Sequence, residues 1–398
     1  MKKTLLVISL LLVIMLQTGC WSRTELNELA IAVGLGIDKV GEQYELTVQI
    51  VDPSQVSSQG SSKGFTPVVL YSSKGKSLPE AVGRLATEVP RKIYFAHLWI
   101  VVLSEEVAKK EGIGYILDYL SRAHEFRNDF YFGISRESTA KQLLGILSAL
   151  ERIPANKMFQ SLSIAQRDWS PVSAMHLDEM LDEMMLDGKN LVLNGFRIEG
   201  DINKGSSIKN LESTTNRTKI KLSSLGAFKG DKLVGWLNES ESRGYTNITN
   251  KLKRTVLVVA CEGDGTVSFD VIRSKTKIEL LNDRGGKLAF KVSMLTEADI
   301  ASAECTIDLN DQNVLNDLET LGANQIKEHS SSAIKKAKKL GTDIFGFGEV
   351  VRRSRPAYWQ TIKHDWYDIF PTIQVEITPV LKIRRLGAIG ESTLNDIK

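Results

Sequence analysis

Apolar residues fall into three patterns along this chain, and each predicts a different element. The first is a solid block, residues 5–16, which follows Lys2 and Lys3. A basic start, a short apolar middle and small residues before a cut describe a secretory signal peptide. The block is too short to cross ~30 Å of hydrocarbon, which takes about 20 helical residues. The second pattern is the dense or alternating apolar run of a strand. Runs at 29–38, 44–51, 68–72, 129–135 and 190–199 predict strands, the first two joined in a hairpin by a turn at Gly41. The run 93–103, which contains Trp99, reads as one long central strand buried on both faces. Further on, 222–228 and 232–237 flank Lys229-Gly230-Asp231, and 255–261 and 267–272 flank Gly263-Asp264-Gly265, so two more hairpins are expected. Two more strands, 275–281 and 288–296, follow. Residues 372–385 alternate, with Ile373, Val375, Ile377, Leu381 and Ile383 on one face. Pro379 has no amide to donate, so this strand is at an edge or bulged.

The third pattern is helical. Ser77-x-x-Glu80 reads as a capping box that opens a helix ending near Pro90. Residues 104–122 are helical, and 139–150 form a helix on Leu143, Leu144, Leu147 and Leu150. Residues 154–188 are mostly helical, and the stripe of Met175, Leu177, Met180, Leu181, Met184 and Met185 favours core packing over a docking face. A long helix at 313–340 carries Val314, Leu318, Leu321, Ile334 and Ala337 and ends at Gly341. A second helical piece, 343–355, is interrupted by Pro356.

Together these elements predict an α+β protein of three domains, with mixed or antiparallel sheets flanked by helices and a long helix near the C-terminus. A chain of 398 residues exceeds one ordinary core. The polar stretch 200–217 sets the first boundary, which gives a leader at 1–19, an N-terminal α+β domain at 20–200, a β-rich middle domain at 218–298 and an α+β domain at 299–398. Hydrophobic content of 42% and charged content of 25% are those of a folded protein. Without Lys2 and Lys3 the 51 basic residues become 49 against 48 acidic ones, a formal charge of +1. That balance carries no nucleic-acid footprint.

Leu16-Gln17-Thr18-Gly19-Cys20 changes the picture, because it resembles a bacterial lipobox. In proteins that carry one, the chain is cut before the cysteine and its thiol is diacylglycerated. Two acyl chains at about 0.8 kcal/mol per buried methylene hold firmly, where one binds only reversibly. The other cysteines, Cys261 and Cys305, lie in strand-like apolar surroundings. Two cysteines make no disulfide framework, so two buried free thiols are favoured over a pair.

Candidate chemistry is sparse. His97, His124, His176, His329 and His364 are scattered without metal-ligand spacing, so no metal is expected. Gly60-Ser61-Ser62-Lys63-Gly64 matches Gly-x-Ser-x-Gly but lies in a polar loop, not between a strand and a helix. Ser332-x-x-Lys335 falls inside a polar helix without partner motifs. Gly34-Leu35-Gly36 and Gly346-Phe347-Gly348 lack the third glycine of a phosphate loop, and the second pair is better read as allowing close backbone approach. Arg352, Arg353 and Arg355 with Trp359 and Trp366 form a candidate partner-docking patch. The opposing reading makes the rings core and the charges their solvated rim. No catalytic constellation and no cofactor site emerge, and an extracytoplasmic hydrolase has no nucleophile and base to rest on.

The order of these pieces resembles the Ger(x)C family, the lipoprotein C subunits of nutrient germinant receptors in endospore-forming bacteria. The residues that carry the resemblance are Cys20 with Trp21-Ser22-Arg23 and Glu25-Leu26, the stretch Ala32-Val33-Gly34-Leu35-Gly36-Ile37-Asp38, and Gly226-Ala227-Phe228-Lys229 to Leu233-Val234-Gly235. Asp343-Ile344-Phe345-Gly346-Phe347-Gly348 and the region from Trp359 to Trp366 complete it. The resemblance implies a three-domain α+β protein with Cys20 as an N-palmitoyl, S-diacylglycerol cysteine. It implies a place on the outer face of the spore inner membrane, beside two polytopic partners, the A and B subunits. No active site and no nucleic acid come with it. The competing expectation is a solute-binding lipoprotein of an import system, which repeated β-α-β units and two parallel-sheet lobes would mark.

Overall fold

The computed structural model describes residues 25–52, 66–212, 214–215, 217–261, 265–281, 287–305 and 307–385. The first sheet contains β1 (Leu29–Val40), β2 (Gln43–Val51), β3 (Val68–Gly75), β4 (Lys92–Tyr94), β5 (Ile100–Ser104), β6 (Tyr131–Ser135), β7 (Val192–Glu199), β8 (Lys219–Lys229) and β9 (Lys232–Leu237). Its order is β3-β2-β1-β5-β6-β7-β8-β9, with β4 beside β1. β1, β5, β6 and β7 run parallel in the middle, and antiparallel strands finish both sides. The predicted hairpin at Gly41 is there, with β1 and β2 paired antiparallel.

Every residue of β5 is buried because helices cover both faces of the sheet. Val101 and Leu103 join the core beneath helices Leu78–Leu85, Gly114–Arg122 and Leu177–Met185. Ile100 and Val102 point the other way, into the core beneath helices Ala140–Gly145 and Pro154–Asp168. The run 93–103 is therefore two strands and not one. The chain turns between β4 and β5, where the Leu98 amide bonds the Phe95 carbonyl at 3.2 Å, and both side chains drop into the core.

The stretch Ala32–Asp38 serves as strand and as platform. A Cβ on Gly34 or Gly36 would stand 2.9 or 3.0 Å from the Leu144 side chain, so helix Ala140–Gly145 lies directly on the backbone of β1. Asp38 then accepts the Ala140 and Lys141 amides at 2.8 and 3.0 Å and caps that helix. The helix stops at Gly145, where the Leu147 amide is taken by the Gly205 carbonyl, and this leaves Leu150 exposed instead of on the apolar stripe. Ser77 caps its helix as expected, but Glu80 takes the Lys76 amide, and the helix ends at Leu85.

The second sheet contains β10 (Thr255–Ala260), β11 (Thr266–Leu280), β12 (Ala289–Ala303) and β13 (Gln374–Arg385), in that order. The expected strands 275–281 and 288–296 are continuations of β11 and β12, whose pairing is interrupted by bulges. β13 lies at the edge, parallel to β12, with Pro379 opposite Met294, where a missing amide is tolerated. Helix Gln312–Leu340 buries Leu318, Ile326, Ile334 and Ala337 against this sheet, while Leu321 faces outward.

Sheet pairing crosses both boundaries drawn from composition. β8 and β9, assigned to a middle domain at 218–298, complete the first sheet, β8 pairing with β7 and β9 with β8. The cut at 298/299 falls inside β12, so the middle and last segments share one sheet. The free-thiol reading is also corrected: Cys261 and Cys305 form a disulfide, their Cα atoms 6.4 Å apart. Both follow strands that flank the start of β11, where the Glu304 amide bonds the Thr266 carbonyl.

The bridge joins residues 44 apart in sequence, and chain entropy for such a loop gives about 4 kcal/mol. Replacing both cysteines by alanine is expected to lower unfolding stability by about 2–4 kcal/mol. Urea titration checks the magnitude, and alkylation without prior reduction checks the bridge, since neither Cys261 nor Cys305 should be modified.

Candidate functional site

The segment that follows the long helix is built around one carboxylate. Gly341 ends the helix in the left-handed conformation, φ 64°, and the chain then wraps Asp343. Asp343 Oδ1 accepts the amides of Phe345 and Gly346 at 3.1 and 2.9 Å. Its Oδ2 accepts the Gly348 amide at 2.8 Å and the indole Nε1–H of Trp366 at 3.2 Å. Burial pushes this carboxyl up to about 6, and the backbone amides pull the other way without overcoming it.

This turn docks on the first sheet. The Asn190 amide donates to the Asp343 carbonyl at 2.8 Å, and the Thr342 hydroxyl donates to the Phe228 carbonyl at the end of β8. Asn190 Oδ1 in turn accepts the Gly230 amide at 3.0 Å and the Tyr367 hydroxyl at 3.1 Å. The close approach expected at the glycine pair is real. A Cβ on Gly348 would lie 2.7 Å from Gly188 Cα and 2.8 Å from the Trp366 ring, and Gly346 sits at φ 83°. A cleft of about 310 Å³ opens beside these contacts, walled by Met184, Gly188, Asn190, Lys363, His364 and Tyr367. Its lining contains neither serine nor cysteine, and Asp343 does not reach it. With every contact of its oxygens made inside the protein, Asp343 acts as a staple and offers no lone pair to a ligand.

A second weld lies close by. Glu183 Oε1, on helix Leu177–Met185, accepts from Lys189 at 2.9 Å and Lys251 at 3.1 Å. Burial raises the Glu183 carboxyl, but the two ammonium groups outweigh it and hold it low. Burial would lower Lys251, and Tyr245 with Glu183 holds it above the usual lysine range. Lys251 also donates to Ser173 at 3.1 Å, so the network ties the first half of the chain to the residues that precede β10.

The proposed docking patch divides in two. Trp359 and Trp366 are 1% and 2% exposed, stacked edge-on in the core with ring centres 5.4 Å apart, and so are not available to a partner. Burying two indoles recovers more apolar area than any rim contact, which is why the rings turn inward. Arg352 and Arg353 stay at the surface, both paired with Glu349, and Arg355 is exposed beside Pro356. Cys20 lies outside the described residues, as does the Gly60–Gly64 match. Among the described residues no cluster of His, Cys, Asp and Glu is arranged for a metal, and no helix is long and apolar enough to cross a membrane.

Comparison with known proteins covers most of the chain. A model of the spore germination protein N-terminal domain matches residues 22–198, and one described as spore germination B3/GerAC like, C-terminal, matches 223–387. Spore germination protein KC of Bacillus subtilis (strain 168) is 30% identical over 393 residues, 97% of this chain and 96% of that protein. Spore germination protein B3 of the same strain is 24% identical over 379 residues, 94% of this chain and 95% of that one. The crystal structure of the GerBC protein shares the fold at TM-score 0.53 and 19% identity, covering 88% of this chain and 96% of the other.

Asp343→Ala leaves four buried donors without an acceptor and is expected to cost about 3 kcal/mol or more. The carboxyl also fixes a pH dependence. A folded pKa raised from 3.8 to about 6 means the folded state holds this proton more tightly, so its contribution is full below pH 4 and is lost as pH rises through 6. The span is worth about 3 kcal/mol. Urea unfolding at pH 7 and pH 5 should show the wild type gaining on Asp343→Asn at the lower pH. A difference that does not change with pH would contradict the assignment.

Proposed function

Because the chain belongs to the Ger(x)C family of spore germination proteins, matched in both its N-terminal and its GerAC-like C-terminal parts, we propose that it is the lipid-anchored C subunit of a nutrient germinant receptor. It works as an interaction and regulatory component without chemistry of its own. It stands on the outer face of the spore inner membrane with two polytopic subunits. The observation that carries this reading is the match along 97% of the chain to Spore germination protein KC, and the lipobox-like stretch of this chain that ends at Cys20 gives it a place. The internal commitment of Asp343 and Glu183 supports a structural role for these two carboxylates. Two acyl chains on Cys20 hold such a body at the bilayer without a spanning helix.

Cys20→Ala in the full-length protein is the direct test. The variant is expected to lose all lipid label, to leave the mature membrane-anchored pool, and to slow nutrient-triggered germination while leaving germination by non-nutrient triggers unchanged. Mass spectrometry of the wild-type amino terminus, membrane fractionation and loss of spore refractility measure these three effects. An unacylated wild-type Cys20, or full nutrient germination from the variant with redundant relatives deleted, would defeat the reading.

A further inference from the structure

We propose that a groove at the tether end of the first sheet docks an extracytoplasmic loop of an integral membrane partner, one that presents an apolar side chain flanked by charges of both signs. This rests on the lipid-anchored reading above and adds the surface and the chemistry of the contact.

β4 pairs parallel with the start of β1, Leu29 beside Lys92 and Ile31 beside Tyr94. Both strands therefore begin at the same end of the sheet, the end at which the chain arrives from Cys20. A groove of about 850 Å³ opens there, with Val82, Val89, Ile93 and Phe95 along its apolar lining. Asn27 and Glu28, from the turn that precedes β1, form one wall. Glu25 follows Cys20 by five residues, and fully extended these reach ~17 Å. With Cys20 acylated, the groove cannot stand far from the headgroups.

Charge decides between a lipid surface and a protein as the occupant. Arg91 and Lys92 are exposed at the mouth, and each basic residue is worth about 1 kcal/mol against an anionic leaflet. Glu28 and Glu125, also exposed, line the same groove and oppose that attraction. An apolar floor inside a rim of two and two is matched by a peptide segment carrying its own mixed charges, where complementarity sets register and excludes wrong partners. The tether places that segment at the membrane surface, and a loop of an integral protein is the peptide that is always there.

The test uses the full-length lipoprotein in membranes that contain the two polytopic subunits, one of them tagged. Ala86→Arg obstructs the exposed wall of the groove, and Arg91→Glu with Lys92→Glu reverses one side of its rim. Val258→Arg, on an exposed position of the second sheet, serves as the control. All variants are expected to fractionate with membranes and to unfold at the wild-type temperature in detergent. Co-purification should fall about tenfold or more for the groove variants, which corresponds to ~1.4 kcal/mol, and stay at the wild-type level for Val258→Arg. A photoreactive phenylalanine at position 86 should form an adduct with a polytopic subunit. Undiminished co-purification of both groove variants, or adducts with phospholipid alone, would overturn the docking site. Failure of the wild type to co-purify would overturn the receptor reading and this inference with it, so the two failures are told apart.

Discussion

A carboxylate sealed inside a protein is costly, and the fold beyond β12 depends on how this one is compensated. Three backbone amides and an indole surround Asp343 and fix the path of residues 343–348 in one conformation. That path matters because β12 and β13 are parallel, and a parallel pair needs a long connection that brings the chain back to the starting end. The connection here is the helix Gln312–Leu340, the Asp343 turn and the short helices between Phe347 and Ile369. Trp366 belongs to that return and donates to Asp343, so one carboxylate sets both the exit from the long helix and the approach to the edge strand. Ion pairs then hold the register of β13, Lys382 to Glu319 of the long helix and Arg384 to Glu297 of β12, while Phe347, Trp359, Trp366 and Phe370 pack ring against ring in the core.

The same turn explains why the two sheets share a core. Val192, Leu225, Ala227 and Leu237 come from the first sheet, yet they pack in the cluster that holds Phe269, Phe290 and Val292 of the second. The end strands β7 to β9 thus serve as a wall for the C-terminal half. Thr342 on the Phe228 carbonyl and Asn190 on the Asp343 carbonyl close the backbone across that wall. The Glu183–Lys251 pair adds a charged contact that is specific but not cheap, since each ion gives up hydration to make it. Apolar area supplies the attraction, and these polar contacts fix which arrangement of the halves is adopted.

How much of this was legible in the sequence follows from what periodicity can carry. The strands at 29–38, 44–51 and 255–261 and the long helix were readable to within a few residues because each is set by its own pattern of side chains. The run 93–103 was misread because unbroken apolar sequence does not show where a chain turns while still buried. The polar stretch 200–217 is a surface crossing between β7 and β8, which pair side by side, so the first sheet runs across the boundary drawn there. The disulfide was invisible because only the registers of β10, β11 and β12 bring Cys261 to Cys305. At the candidate site, Asp343 with glycines three and five residues on is a legible turn signal. Its indole partner, 23 positions later, is not. Trp359 and Trp366 allow two readings in sequence, docking anchors or core rings with a charged rim, and in space they are core.

On the lipid-anchored reading, the position of β1 has a mechanical consequence. The strand that begins a few residues after Cys20 is the centre of the first sheet, paired with β2, β4 and β5, and not a peripheral tail. A short spacer feeding a central strand fixes the body's height above the bilayer and restricts its tilt, which a long linker entering at an edge would not do. Confinement of this kind raises the effective concentration of a membrane partner to the millimolar range. At that concentration a contact with a dissociation constant near 1 mM, about 4 kcal/mol, is already half occupied. A modest groove with a mixed rim is then sufficient for assembly, and no large hydrophobic interface is needed.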